Sequence, residues 1–164
     1  LNLAMALEIA DQLTRQGADV ILTRASDVFL PLRERSEIAN RANAAFFVSV
    51  HVNSNRVANS RSGTMVFHHK DDPIGQLLAD CIQREIGQVS SLPNLGTWSD
   101  GKIYASGFAV LRYAKMPAVL LELGFINHVT DLRRIRTDDF RKRVASAVVK
   151  GLKVFLGDGQ DQAR

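Results

Sequence analysis

Two nearly continuous apolar runs, Phe46 to Val50 and Ala118 to Leu121, stand among segments whose apolar residues recur at helical spacing. This alternation limits the chain to a layered α/β fold. A strand that is apolar on both faces must be covered on both, which is the habit of parallel sheets. The cover is legible nearby. Ile74, Leu77, Leu78, Cys81, Ile82, Ile86 and Val89 make an amphipathic helix, and Leu3, Leu7, Ala10 and Leu13 make another that stops at Gly17. Pro31 fits the opening of a helix that turns Ile38, Ala39 and Ala42 inward. The last helix has Thr137 as its cap and Phe140, Val144, Val148, Leu152 and Phe155 on one face. Val20 to Leu22 reads as a short buried strand and Gly63 to Phe67 as a weaker one, with Ser90 to Gly101 a loop and Phe108 to Leu111 a further apolar run. The expectation is a single α/β domain over residues 1–157, a mostly parallel twisted sheet flanked by helices on both faces, with a polar tail at 158–164.

The 164 residues suit one domain, and 21 Lys and Arg against 17 Asp and Glu give a net charge of +4, which favours an anionic partner without identifying it. The densest basic stretch, Arg133, Arg134, Arg136, Arg141, Lys142 and Arg143, lies among acidic neighbours and reads as a solvated helix face. Aromatic residues do not interleave with basic ones along the chain, Trp98, Tyr104 and Tyr113 being isolated, so a single-strand nucleic-acid surface is not expected. Gly-rich phosphate loops and Gly-x-Ser-x-Gly elbows are absent from the sequence, which argues against nucleotide chemistry and serine hydrolysis. Cys81 is the single cysteine, which excludes an internal disulfide and a Cys-rich zinc knuckle, and its helical position makes it a core residue. No apolar run approaches the roughly 18–20 residues that cross a bilayer.

In a parallel sheet, ligands collect at the carboxyl ends of the strands. Two apolar runs end in reactive residues there, one in His51 followed by Asn53, the other in Glu122. A carboxylate between Leu121 and Leu123 needs a partner, either an arginine in a buried ion pair or a group with chemical work to do. Neutral imidazole is a common zinc ligand, and a nearby carboxylate can ligate the metal or accept a proton, so the pair points further than either residue alone. His68, His69 and His128 read as solvent-facing.

Leu1-Asn2-Leu3-Ala4-Met5-Ala6, Leu22-Thr23-Arg24 with Asp27, Leu32 to Arg35, Ala39-Asn40, Ser49-Val50-His51-Val52-Asn53 and Met116 to Phe125 occur in this order. Together they resemble the zinc-dependent N-acetylmuramoyl-L-alanine amidases, the type 3 peptidoglycan amidases, over nearly the whole chain. The resemblance implies hydrolysis of the amide between the lactyl group of N-acetylmuramic acid and L-alanine. It implies zinc held by two histidines and a glutamate, and a second glutamate as catalytic base. On the matching positions His51 is a zinc ligand and Glu122 the catalytic glutamate; Asn53, two residues after His51, is expected beside the metal ligands or in contact with the substrate. The family's first zinc histidine, in an Asp-Pro-Gly-His-Gly-Gly-like turn after an amino-terminal strand, and its zinc glutamate have no counterpart here. An upstream segment carrying both is therefore expected, and with it a first strand of the sheet. Asp100-Gly101-Lys102 stands where the family usually has an Arg-Gly pair, so a contact on the substrate side differs.

The implied partner is peptidoglycan, and the implied place of action is extracellular, at the cell wall or in the periplasm. A secreted autolysin, a spore enzyme and a phage lysin all fit. A monomer is expected, with wall-binding modules outside this chain. The alternative is a catalytically incomplete member that binds wall or partner without cleaving.

Overall fold

The computed structural model describes residues 1–157; the expected tail at 158–164 lies outside them. Four strands, β1 (Phe47–Asn53), β2 (Thr64–His68), β3 (Asn94–Ser99) and β4 (Ala118–Phe125), form one sheet in the order β1-β4-β2-β3. β1 runs parallel to β4 and β2 parallel to β3, while β2 and β4 are antiparallel, so two of the three pairings are parallel. Helices α1 (Asn2–Arg15), α3 (Pro73–Val89) and α6 (Asp138–Leu156) cover one face. Helices α2 (Leu32–Arg41) and α4 (Ala109–Arg112) cover the other, and α5 (Val129–Ile135) packs at the end of β4.

Local chemistry explains where the long helices start and stop. Asp72 caps α3 by accepting from Gly75 N at 2.8 Å, with Pro73 in the first turn, and Thr137 caps α6 by accepting from Phe140 N at 3.2 Å. Helix α6 ends on Gly157 in the left-handed region, φ +89°. α3 and α6 approach so closely at Gly151 that a Cβ there would stand 2.6 Å from Ile82 Cα, so only glycine fits without separating the helices. Their shared interface buries Leu78, Ile82, Ile86, Val144, Val148 and Leu152, each contributing about 1.5–3 kcal/mol by its removal from water. Cys81 is buried there with a free thiol, as its spacing indicates.

Several expectations are corrected. Val20 to Leu22 forms no strand. It runs beside the free edge of β1, but a slot of about 450 Å³ separates the two, lined by Val20 to Arg24 on one side and Phe46 to Val50 on the other. A strand is a pairing and not a property of one segment, and across that slot the backbone of 20–22 reaches no partner. The stretch read as a loop contains β3, whose sequence Asn-Leu-Gly-Thr-Trp-Ser lacks an apolar run because it is an edge strand, half exposed. The apolar run at Phe108 to Leu111 is the short helix α4, with Val110 and Leu111 buried against the sheet. His68 and His69 are not solvent-facing: His68 is buried, and the His69 ring is held by the fully buried Asp100, Nδ1 to Oδ2 at 2.9 Å. The basic stretch does form a solvated face, with Arg141 paired to Asp138 and Arg143 to Asp139. No helix among the described residues is long and apolar enough to cross a membrane.

Candidate active site

β1 and β4 pair in register with His51 opposite Glu122, and parallel neighbours in register present their side chains to the same face about 4.8 Å apart. That face is the one carrying α2 and α4. The period of two along β1 adds Ser49 to it, and Ser49 Oγ lies 2.9 Å from His51 Nε2. The apolar reading of 46–50 gives this serine no role; the alternation of the strand about His51 is the signal that finds it.

Glu122 is the one residue of β4 that is not fully buried, yet its Oε2 is shielded from solvent and has no hydrogen-bond partner among the described residues. The buried arginine partner, one of two readings of this position, is not found among them. Desolvation without a compensating bond penalises the charged form, and burial pushes the Glu122 carboxyl up from 4.5 to about 8. His51 moves the other way. Burial, and then the positive charge of Arg35, hold it down from 6.5 to about 4, so the imidazole is neutral at physiological pH. Arg35 donates from Nε to Leu30 O at 3.0 Å, and Arg24 is tied to Asp27 at 3.0 Å, so the pair of guanidiniums lies along the slot beside His51. A neutral imidazole beside a protonated carboxyl can hold a cation on nitrogen and move a proton on oxygen.

Asn53 lies at the end of β1, where its side chain accepts from Ser54 N at 2.7 Å and its carbonyl accepts from Ile126 N at 2.8 Å. It braces the strand end beside the pair. The other histidines do not join it. His68 pairs with Val119 while Met65 pairs with Glu122, which puts His68 and His69 about 10 Å away at the opposite end of the sheet. His128 caps α5 and lies 3.0 Å from Asp131. Among the described residues no three His, Cys, Asp or Glu side chains gather as a metal site. A protein-held zinc needs about three such ligands, so His51 and Glu122 do not hold one by themselves.

The opposed shifts make a stability expectation for the protein freed of metal. Glu122 has a raised folded value, so its contribution is complete below pH 4.5 and is lost as the pH rises to about 8. His51 has a lowered one, so its contribution is complete above pH 6.5 and is lost as the pH falls to about 4. Between 4.5 and 6.5 the slopes oppose each other, and from 6.5 to 8 only Glu122 acts. Thermal melts in a chelator should therefore show the wild type losing about 2 kcal/mol over that interval relative to Glu122→Gln. Parallel pH curves for the two proteins would contradict the assignment.

Comparison with known proteins identifies the family to which this fold belongs. The sequence model described as N-acetylmuramoyl-L-alanine amidase (Amidase_3) matches residues 1–154. The chain is 36% identical over 157 residues to the protein YqiI of Bacillus subtilis, covering 94% of this chain and 72% of that one. It is 31% identical to the N-acetylmuramoyl-L-alanine amidase LytC of the same organism, covering 92% of this chain and 29% of LytC, so it spans less than a third of that relative. Among solved structures, the N-acetylmuramoyl-L-alanine amidase from Clostridium difficile 630 superposes with a TM-score of 0.88 at 26% identity, covering 96% of this chain and 82% of that one. The catalytic domain of CwlV from Bacillus (Paenibacillus) polymyxa var. colistinus gives 0.85 at 29% identity, covering 94% and 82%. The fold and the family match coincide over nearly the whole chain, and the chain belongs to the N-acetylmuramoyl-L-alanine amidase family of cell-wall amidases.

Proposed function

We propose that this chain forms the catalytic part of a zinc-dependent enzyme that hydrolyses the amide between N-acetylmuramic acid and L-alanine in peptidoglycan. The observation that carries the reading is the buried, unpartnered carboxyl of Glu122 in register with the neutral imidazole of His51. A structural carboxylate is expected to have partners, whereas a carboxyl whose value lies near 8 is suited to exchange a proton at neutral pH. Glu122 is the proton-transfer group, His51 a zinc ligand and Asn53 a brace of the strand end near the substrate.

The described donors fall short of a zinc site, and the remaining ligands are assigned to residues that reach His51 from the slot beside β1. The slot supports this. One of its walls is the free edge of β1, the strand that leads into His51, so an extended segment paired along that edge would finish next to the imidazole. The enzyme acts outside the cytoplasm at the wall, as a secreted autolysin would, and works as a monomer with wall-binding modules elsewhere in the polypeptide. The incomplete donor set favours a second reading, a member that binds wall without cleaving. Chelation of the full polypeptide separates the two. The proposed enzyme loses hydrolysis of purified peptidoglycan on metal removal and regains it with about one equivalent of zinc, whereas a binding protein shows no hydrolysis in either state.

A further inference from the structure

The catalytic strand breaks register immediately after Glu122. His51 pairs with Glu122, but the next pair is Asn53 with Phe125, so β4 spends one residue more than β1 over the same interval. The extra residue is a bulge, and Gly124 sits in it at φ +121°. Its positive φ favours glycine, whereas the nearest atom to a Cβ there, Ile135 Cδ1 at 2.7 Å, is the mobile end of a side chain.

What holds the bulge is one fully buried side chain. Asp131, in the first turn of α5, accepts from Phe125 N at 2.9 Å and from Gly63 N at 3.0 Å, both on Oδ2. Its Oδ1 accepts from Ser62 Oγ at 2.5 Å and stands 3.0 Å from His128 Nδ1. Gly63 immediately precedes β2 and Phe125 ends β4, so a single carboxylate oxygen takes the amides of two antiparallel neighbours at the point where their ladder stops. Asp131 is too elaborately satisfied to be an accident of burial, and it touches neither His51 nor Glu122.

We infer that Asp131 is a positioning residue for the reaction: by fixing the bulge it sets the direction in which β4 presents Glu122 toward His51. The inference rests on the role given to Glu122 above. Bulges beside active sites re-aim side chains, and displacement of a proton-transfer group by about 1 Å costs rate more than binding. Substitution of Asp131 by asparagine keeps the shape but removes the charge and leaves one acceptor oxygen in place of two, so it cannot accept both from Phe125 N with Gly63 N and from Ser62 Oγ.

The test uses the full polypeptide in its zinc-loaded form, with rates per folded molecule on purified peptidoglycan fragments. Asp131→Asn is compared with Glu85→Gln, which loosens another buried acid, the partner of Lys150 between α3 and α6 and remote from the bulge. Asp131→Asn should lower kcat at least tenfold with KM within about twofold of wild type. Glu85→Gln should lower Tm and leave both constants unchanged. Ser62→Ala, which keeps the carboxylate and removes one donor, should lower kcat about threefold and serves if Asp131→Asn fails to fold. Wild-type kcat in Asp131→Asn, or in Ser62→Ala if it stands in, would overturn the inference. An inactive wild type would instead overturn the functional reading beneath it.

Discussion

Glu122→Gln is expected to fold like the wild type, bind zinc like the wild type and hydrolyse peptidoglycan about 10²–10⁴ times more slowly, the usual contribution of a positioned proton-transfer group. The amide is isosteric with the carboxyl and occupies the same place among Leu121, Leu123 and Met65, so the sheet has no reason to rearrange. What it cannot do is take and return a proton. The wild-type Oε2 has no hydrogen bond to lose, which is why the substitution is expected to be structurally mild and, at alkaline pH in the absence of metal, stabilising. The measurement is the rate of α-amine release per folded molecule, with zinc content determined on the same sample. Cleavage at the wild-type rate would remove Glu122 from the mechanism and leave its unsatisfied carboxyl without a purpose.

His51→Ala is expected to act through the metal. The His51 imidazole is neutral at working pH and so carries a free nitrogen lone pair. Loss of a residue that merely supports a metal ligand costs about 10–100-fold in affinity or activity, and loss of a ligand itself should cost at least about 100-fold. The variant should emerge from purification with markedly less than one zinc per chain, and excess zinc should restore part of its activity at most. Full zinc occupancy with full activity would show that the ligands all lie elsewhere and that His51 belongs to the packing of β1.

The layered α/β arrangement is legible because β4 is buried on both faces, β1 is buried or half-buried along its length and the long helices carry apolar stripes. β3 is not, because an edge strand half in water needs no apolar run, and Val20 to Leu22 has strand composition but is held apart from the edge of β1 by the slot between them. Within the site, His51 and Glu122 stand out in the sequence as polar residues where packing alone would place apolar ones. Their register across β1 and β4 comes only from the pairing of two segments far apart in the chain. Asp131 is harder still to read. Its three donors, Ser62 Oγ, Gly63 N and Phe125 N, come from the loop before β2 and the end of β4, and no local pattern announces that these converge on the start of α5.

The most direct test of the account is the chemistry of the products. Purified peptidoglycan digested by the zinc-loaded full polypeptide and separated into muropeptides should yield intact glycan strands with free lactyl carboxyls and stem peptides whose new amino terminus is L-alanine. New reducing ends on the sugars, new amino termini within the stem peptide, or bound but uncut wall would contradict the assignment of this chain as an N-acetylmuramoyl-L-alanine amidase acting through Glu122.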